Sequence, residues 1–212
     1  MIQTSYYVRN HNAFTSGNCL SSPASASTNI YIEDDQGNPV YNFDITDKIY
    51  DTYIENNFIP IIELGFMPYD LVPSQFQSDY LLSGWKYPPK DYNKWKNLVQ
   101  AFATHLYQRY GEQVENWYFE VWNEPNITNY WLGSVDDYCK LYDYSAEGIK
   151  SVNPNFKIGG PALATTGSSA NFLNQFLQHV TSGTNNATNQ IGTKIDFISF
   201  HTKGNICRLV FP

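Results

Sequence analysis

Apolar runs of strand length alternate with stretches of helical period along most of the chain. Five such runs predict strands, at Ser5–Asn10, Phe58–Phe66, Asn116–Trp122, Phe156–Gly160 and Lys194–His201. Between the first two, Asn29–Ile32 and Val40–Phe43 flank the turn-rich Asp34-Asp35-Gln36-Gly37-Asn38-Pro39, which predicts an inserted hairpin. The clearest helix is expected over Asp91–Tyr110. There Trp95, Leu98, Phe102, Leu106 and Tyr110 recur at steps of three and four, Pro88 and Pro89 precede, and Gly111 follows as a stop. Ser134 with Asp137 has the form of a capping box opening a second helix, whose Tyr138, Leu141, Tyr142, Ser145 and Ile149 share one face and whose end is marked by Pro154. Shorter helical patterns lie at Asp47–Asn56 and Ala170–Val180.

Strands and helices in regular alternation imply a parallel sheet with crossover helices, either an open doubly wound sheet or part of an eight-stranded (β/α)₈ barrel. The barrel is favoured. An open nucleotide-binding sheet carries a glycine-rich turn after its first strand, and Val8-Arg9-Asn10-His11-Asn12 has none. Polar groups stand instead at the ends of several strands, at His11, Glu63, Glu124 and His201, as on the carboxyl-end face of a barrel.

Composition narrows the function. The 212 residues suit one domain, and a net charge of −7 with no Lys/Arg run gives nothing to track a phosphate backbone, so nucleic acid is not an expected partner. No window approaches the about 20 apolar residues of a membrane span, and no signal peptide is visible at the start. The three cysteines, Cys19, Cys139 and Cys207, have no metal-ligand spacing, and neither a metal nor another cofactor is expected. Asn126-Ile127-Thr128 and Asn186-Ala187-Thr188 match the glycosylation sequon, which implies a secreted route if used. Aromatic residues make up 17% of the chain, enough to supply flat faces for sugar rings as well as a core.

Glu124 carries the sharpest chemical signal. Proline at 125 cannot continue a ladder, so the glutamate is presented where the chain leaves the sheet. Cleaving a glycosidic bond requires an acid to protonate the leaving oxygen, and a carboxyl group near aromatic walls, for which Trp122 and Tyr118 are candidates, keeps its proton near neutrality. Asn123 beside it is placed to hydrogen-bond a ring hydroxyl. Glu63 and Glu120 are read as structural, as are His105 and His179 within helices.

Phe119-Glu120-Val121-Trp122-Asn123-Glu124-Pro125-Asn126 resembles the acid/base motif of glycoside hydrolase family 39, which contains β-xylosidases and α-L-iduronidases. The likeness continues in Val8-Arg9-Asn10-His11, Glu63-Leu64-Gly65-Phe66-Met67-Pro68, Pro88-Pro89-Lys90-Asp91-Tyr92-Asn93-Lys94-Trp95, Gly159-Gly160-Pro161 and Asp196-Phe197-Ile198-Ser199-Phe200-His201. It implies a TIM barrel with Glu124 as general acid/base at the end of the fourth strand, Asn123 on the sugar, and His11 and His201 lining the same pocket. It further implies that residues 1–204 span about strands two to six, that 205–212 diverge from the family, and that the nucleophile, supplied by the seventh strand, lies outside the chain. The expected partner is a glycoside or oligosaccharide substrate. His201-Thr202-Lys203-Gly204 and Tyr144-Ser145-Ala146-Glu147-Gly148 resemble the α-L-iduronidase-like branch, and Lys203 is the candidate to meet a uronic carboxylate. A non-catalytic sugar-binding remnant without the nucleophile is the alternative.

Overall fold

The long amphipathic stripes settle the architecture by what they bury. In the computed structural model, which describes residues 6–15, 29–165 and 169–202, α3 (Tyr92–Tyr110) has Trp95, Leu98, Phe102 and Leu106 fully inside. Each contributes roughly 1.5–3 kcal/mol relative to an exposed position. Asp91 caps this helix by accepting from the N–H groups of Asn93 and Lys94, and Gly111 ends it at φ 66, a conformation that disfavours residues with a Cβ. Helix α4 (Val135–Val152) begins at the expected capping box, with Ser134 and Asp137 bonded reciprocally. It packs along α3, where Trp95 Nε1 donates to the Ser145 hydroxyl at 2.8 Å and a Cβ on Gly148 would meet the Lys96 carbonyl at 2.9 Å. The Ser145 and Gly148 positions of the iduronidase-like segment thus hold two helices together.

The sheet is parallel and sequential in the order β1 (Tyr6–Asn10), β4 (Phe58–Leu64), β5 (Tyr118–Val121), β6 (Lys157–Leu163), β7 (Phe197–Phe200). Helix α1 (Asp44–Glu55) follows β1, the one-turn α2 (Ser74–Gln77) and then α3 follow β4, α4 follows β5, and α5 (Ala170–Ser182) follows β6. This is the repeat of a TIM-type barrel, and side chains alternate between the helices outside and the concave face inside. The outward row of Ile62, Leu64, Phe119, Val121 and Ile158 is fully buried beneath the helices.

Three boundaries depart from expectation by three residues each. Helix α1 starts three residues before the predicted Asp47, at Asp44, whose N–H bonds Asn42 Oδ1 at 2.9 Å. Strand β6 runs on to Leu163, past the Gly160-Pro161 pair that reads as a stop, because the β6–β7 register shifts between Gly160 and Leu163 and a bulge tolerates proline. Gly159 has no room for a side chain, since a Cβ would lie 2.2 Å from the Phe197 carbonyl oxygen. Strand β7 begins only at Phe197, because the chain before it is held against α4: the Tyr142 hydroxyl donates to the Lys194 carbonyl at 3.0 Å, and Asp143, fully buried, accepts from Thr193 Oγ1, His179 Nε2 and both the backbone and side-chain nitrogens of Asn186. His105 is equally structural, stacked on Phe43 and bonded to Asp47 at 2.6 Å.

The hairpin pairs β2 (Tyr31–Glu33) with β3 (Pro39–Tyr41), each displaced one or two residues toward the turn from the predicted runs. Asp34 Oδ1 accepts from the N–H groups of Gln36 and Asn38, which tightens the turn. Glu33 pins the hairpin to α3: Lys94 and Lys90 reach its carboxylate at 2.8 and 2.9 Å, and the Tyr31 hydroxyl adds a third donor. Desolvation alone would raise the Glu33 pKa, but these donors together outweigh it and hold the carboxyl below its ordinary value of 4.5. A folded pKa below the unfolded one gives stability that is complete above the ordinary value and lost as pH falls through the folded value. Amide exchange in the hairpin should therefore accelerate on acidification from about pH 5 to about pH 3, beyond the chemical rate, and Glu33→Gln should remove that extra dependence. Superimposable profiles for parent and variant would contradict the assignment.

Candidate active site

Every inward side chain near the carboxyl ends of β1, β4 and β5 is polar, and one cation ties them together. Arg9, on β1, donates from Nε to Glu120 Oε2 at 2.7 Å and from Nη2 to Asn123 Oδ1 at 3.1 Å, and Nη2 also lies 3.2 Å from Glu63 Oε2. The parallel register places Glu63 beside Glu120, so two carboxylates, both buried, share one guanidinium. Glu63 also receives His11 Nδ1, which puts the ring proton on that nitrogen. His11 in turn packs edge-on against Phe66 and Tyr130, at 5.4 and 6.3 Å between ring centroids.

Glu124 lies three residues beyond the end of β5 and is 1% exposed. Its backbone is held at φ 47, in the left-handed region, with Trp122 at φ 67 just before it and Ala162 at φ 51 across from it on β6. Non-glycine residues in this region cost on the order of 1–3 kcal/mol each and persist only where surrounding contacts fix them. The fixing contacts are visible: Glu124 N–H donates to the Ala162 carbonyl at 3.0 Å, and Trp122 N–H donates to the Leu64 carbonyl at 3.2 Å. On the side chain, Glu124 Oε1 is 2.7 Å from Nδ1 of His201, the first residue past β7. An ionised Glu124 accepts a proton-bearing Nδ1 there, and a protonated Glu124 can donate to a bare one, so the pair can trade a proton without moving.

The structure therefore brings Glu124, Asn123, His11 and His201 to one face, at the exits of three different strands. Lys203 and the 205–212 tail lie outside the described residues, as do Ser5, Cys19 and Cys207. Tyr118 opens β5 at the end away from Glu124, packed on Tyr7 and Phe197, so its ring lines the interior beneath Glu120 instead of walling the Glu124 carboxyl. Trp122 is fully buried, with its ring against Phe66 and Trp131 and its Nε1 donating to the Tyr130 carbonyl.

Below these groups a cavity of about 390 Å³ opens between β1 and β7, with Arg9, Tyr118, Glu120, Ser199 and His201 among its lining. No cluster of three or more potential metal-ligating side chains occurs among the described residues, and none of their helices is long and apolar enough to cross a membrane. The amide nitrogens of both sequon asparagines are engaged, Asn126 with Ser169 and Asn186 with Asp143.

Fold and site together define a class, a TIM-type α/β barrel with a buried Asn-Glu pair on its carboxyl-end face. The chain belongs to glycosyl hydrolases family 39, whose family model matches residues 24–209. It is 40% identical to a β-xylosidase of Geobacillus stearothermophilus over 170 residues, which is 79% of this chain and 32% of the relative. It is 32% identical to the α-L-iduronidase of Mus musculus over 174 residues, 78% of this chain and 25% of that protein. The crystal structure of a monomeric β-xylosidase from Caulobacter crescentus superposes with a TM-score of 0.69 at 31% identity, covering 93% of this chain and 35% of the other. The chain thus spans between a quarter and a third of the length of these curated relatives.

Proposed function

We propose that this chain supplies the acid/base side of a retaining glycoside hydrolase, with β1, β4, β5, β6 and β7 as strands two to six of an eight-stranded barrel. The observation that carries the reading is Glu124, buried and backbone-fixed at the exit of β5, sharing a hydrogen bond with His201. In this role Glu124 protonates the departing oxygen and then takes a proton from water. Asn123, whose carbonyl oxygen is held by Arg9, turns its amide toward a ring hydroxyl. His11 and His201 flank the sugar. The nucleophile sits about 5–5.5 Å from Glu124 in a retaining enzyme. Glu63 and Glu120 are committed to Arg9, which supports a nucleophile contributed by a further strand.

Two substrate classes have support. The 40% identity to a β-xylosidase favours a neutral pentoside, and Lys203, two residues after His201 in the sequence, favours a uronide, whose carboxylate an ammonium can pair with. One experiment addresses both mechanism and substrate. The complete enzyme is given an aryl β-D-xyloside and an aryl α-L-iduronide, and the anomer first released is read by proton NMR. Retention of configuration is expected, and inversion would overturn the mechanism. If Lys203 reads a carboxylate, Lys203→Met lowers the iduronide-to-xyloside activity ratio by about tenfold, or roughly 1.4 kcal/mol of differential transition-state binding. Equal losses, or an enzyme that accepts only xyloside, would remove that role. The 212 residues alone, without the second carboxylate, are expected to turn over neither substrate.

A further inference from the structure

We propose that Asn126 is a positioning residue for Glu124, an inference that rests on the acid/base reading of that glutamate. Glu124 and Ala162 both hold left-handed backbone, at φ 47 and 51, and are joined by one hydrogen bond from the Glu124 N–H to the Ala162 carbonyl. That bond and the His201 contact hold the glutamate itself, while the turn that follows it is tied separately. The side chain of Asn126 supplies that tie from the far side. Its Oδ1 accepts from the Ala164 N–H at 3.0 Å, and its Nδ2 donates to Ser169 Oγ at 2.6 Å. The Ile127 N–H returns to the Glu124 carbonyl at 3.1 Å, so residues 124–127 form one closed turn. Asn126 latches that turn to the end of β6 and to the residue that precedes α5.

The consequence is specific to proton transfer. A general acid works only within hydrogen-bond reach of the leaving oxygen, so a loosened latch slows steps that need the proton and spares those that do not. The same side chain is the acceptor of the Asn126-Ile127-Thr128 sequon. A glycan on Nδ2 takes one of its two hydrogens and would crowd the 2.6 Å contact with Ser169, so the structure sets occupancy of that sequon against the latch.

The test uses the complete enzyme and two glycosides with the same sugar, one with an alkyl leaving group and one with a dinitrophenyl leaving group. Asn126→Ala is expected to lose about tenfold more kcat/KM on the alkyl glycoside than on the activated one. Asn126→Asp retains an acceptor for Ala164 N–H and one for the Ser169 hydroxyl, and should return most of that selective loss. Ser169→Ala removes one of the two bonds and should fall between, which keeps the test open should the Asn126→Ala protein fold poorly. Equal loss on both substrates, or an aspartate no better than alanine, overturns the proposal. Amide exchange at Glu124 and Ala164 needs no turnover: faster exchange in Asn126→Ala is expected, and unchanged exchange overturns the latch itself. If Glu124→Gln shows no leaving-group dependence while that exchange still quickens, the latch stands and the acid/base reading is what has failed.

Discussion

Glu124→Gln in the complete enzyme should reduce hydrolysis of glycosides with poor leaving groups by roughly 10²–10⁴, the range contributed by a positioned general acid. Glutamine fills the same volume and can still face His201, so fold and substrate binding are expected to survive. The variant lacks only the proton. Glycosides with activated leaving groups depart unaided, so their covalent intermediate should form readily and then wait, because no base remains to activate water. A burst of leaving group followed by slow turnover is the kinetic signature, and a small anionic nucleophile such as azide should speed the slow phase. A variant that hydrolyses both substrate types like its parent would show that Glu124 is not the acid/base. A loss of the same size on both types would point instead to substrate binding.

Much of this arrangement was legible in the sequence, because its causes are local and periodic. The α3 stripe of Trp95, Leu98, Phe102 and Leu106 and the Ser134/Asp137 box each specify a helix without reference to the rest of the chain. Polar residues interrupting apolar runs at His11, Glu63, Glu124 and His201 marked strand exits, since a barrel presents such groups only where strands end. Other features left no trace. Trp122, Glu124 and Ala162 have left-handed backbone, which sequence announces when the residue is glycine or asparagine but not when it is tryptophan or alanine. The latch made by Asn126 joins residues 38 and 43 positions apart, and no periodicity encodes that meeting. Tyr118 lies deeper than its nearness to Glu124 in sequence suggests for a related reason: it opens β5, about 10 Å along the strand axis from Val121 at about 3.3 Å per residue, and its ring lines the cavity beneath Glu120.

Arg9 was the least visible of the important residues, since one arginine inside a short strand reads as an edge position facing solvent. In the structure its guanidinium meets Glu63, Glu120 and Asn123 at once, and the two carboxylates are 0% and 4% exposed at their side chains. Among the described residues Glu63 Oε1 has no hydrogen-bond partner, so that carboxylate depends heavily on the contacts made by its other oxygen. Removing one partner of a buried ion pair costs about 3–5 kcal/mol, because the remaining charge is left without compensation in a medium that solvates it poorly. Arg9→Met keeps much of the side-chain volume and removes the charge, so a stability loss in that range is expected in the complete protein, read as a lower denaturant midpoint at unchanged slope. Activity should fall as well, because Asn123 loses the donor that orients its amide. The double variant Arg9→Met/Glu120→Gln distinguishes the causes. Replacing the carboxylate by a neutral amide relieves part of the uncompensated charge, so the pair should be more stable than Arg9→Met alone, with a coupling of about 1 kcal/mol or more in a double-mutant cycle. Additive losses, or an Arg9→Met protein within about 1 kcal/mol of its parent, would show that water reaches these carboxylates and that Arg9 does not hold them.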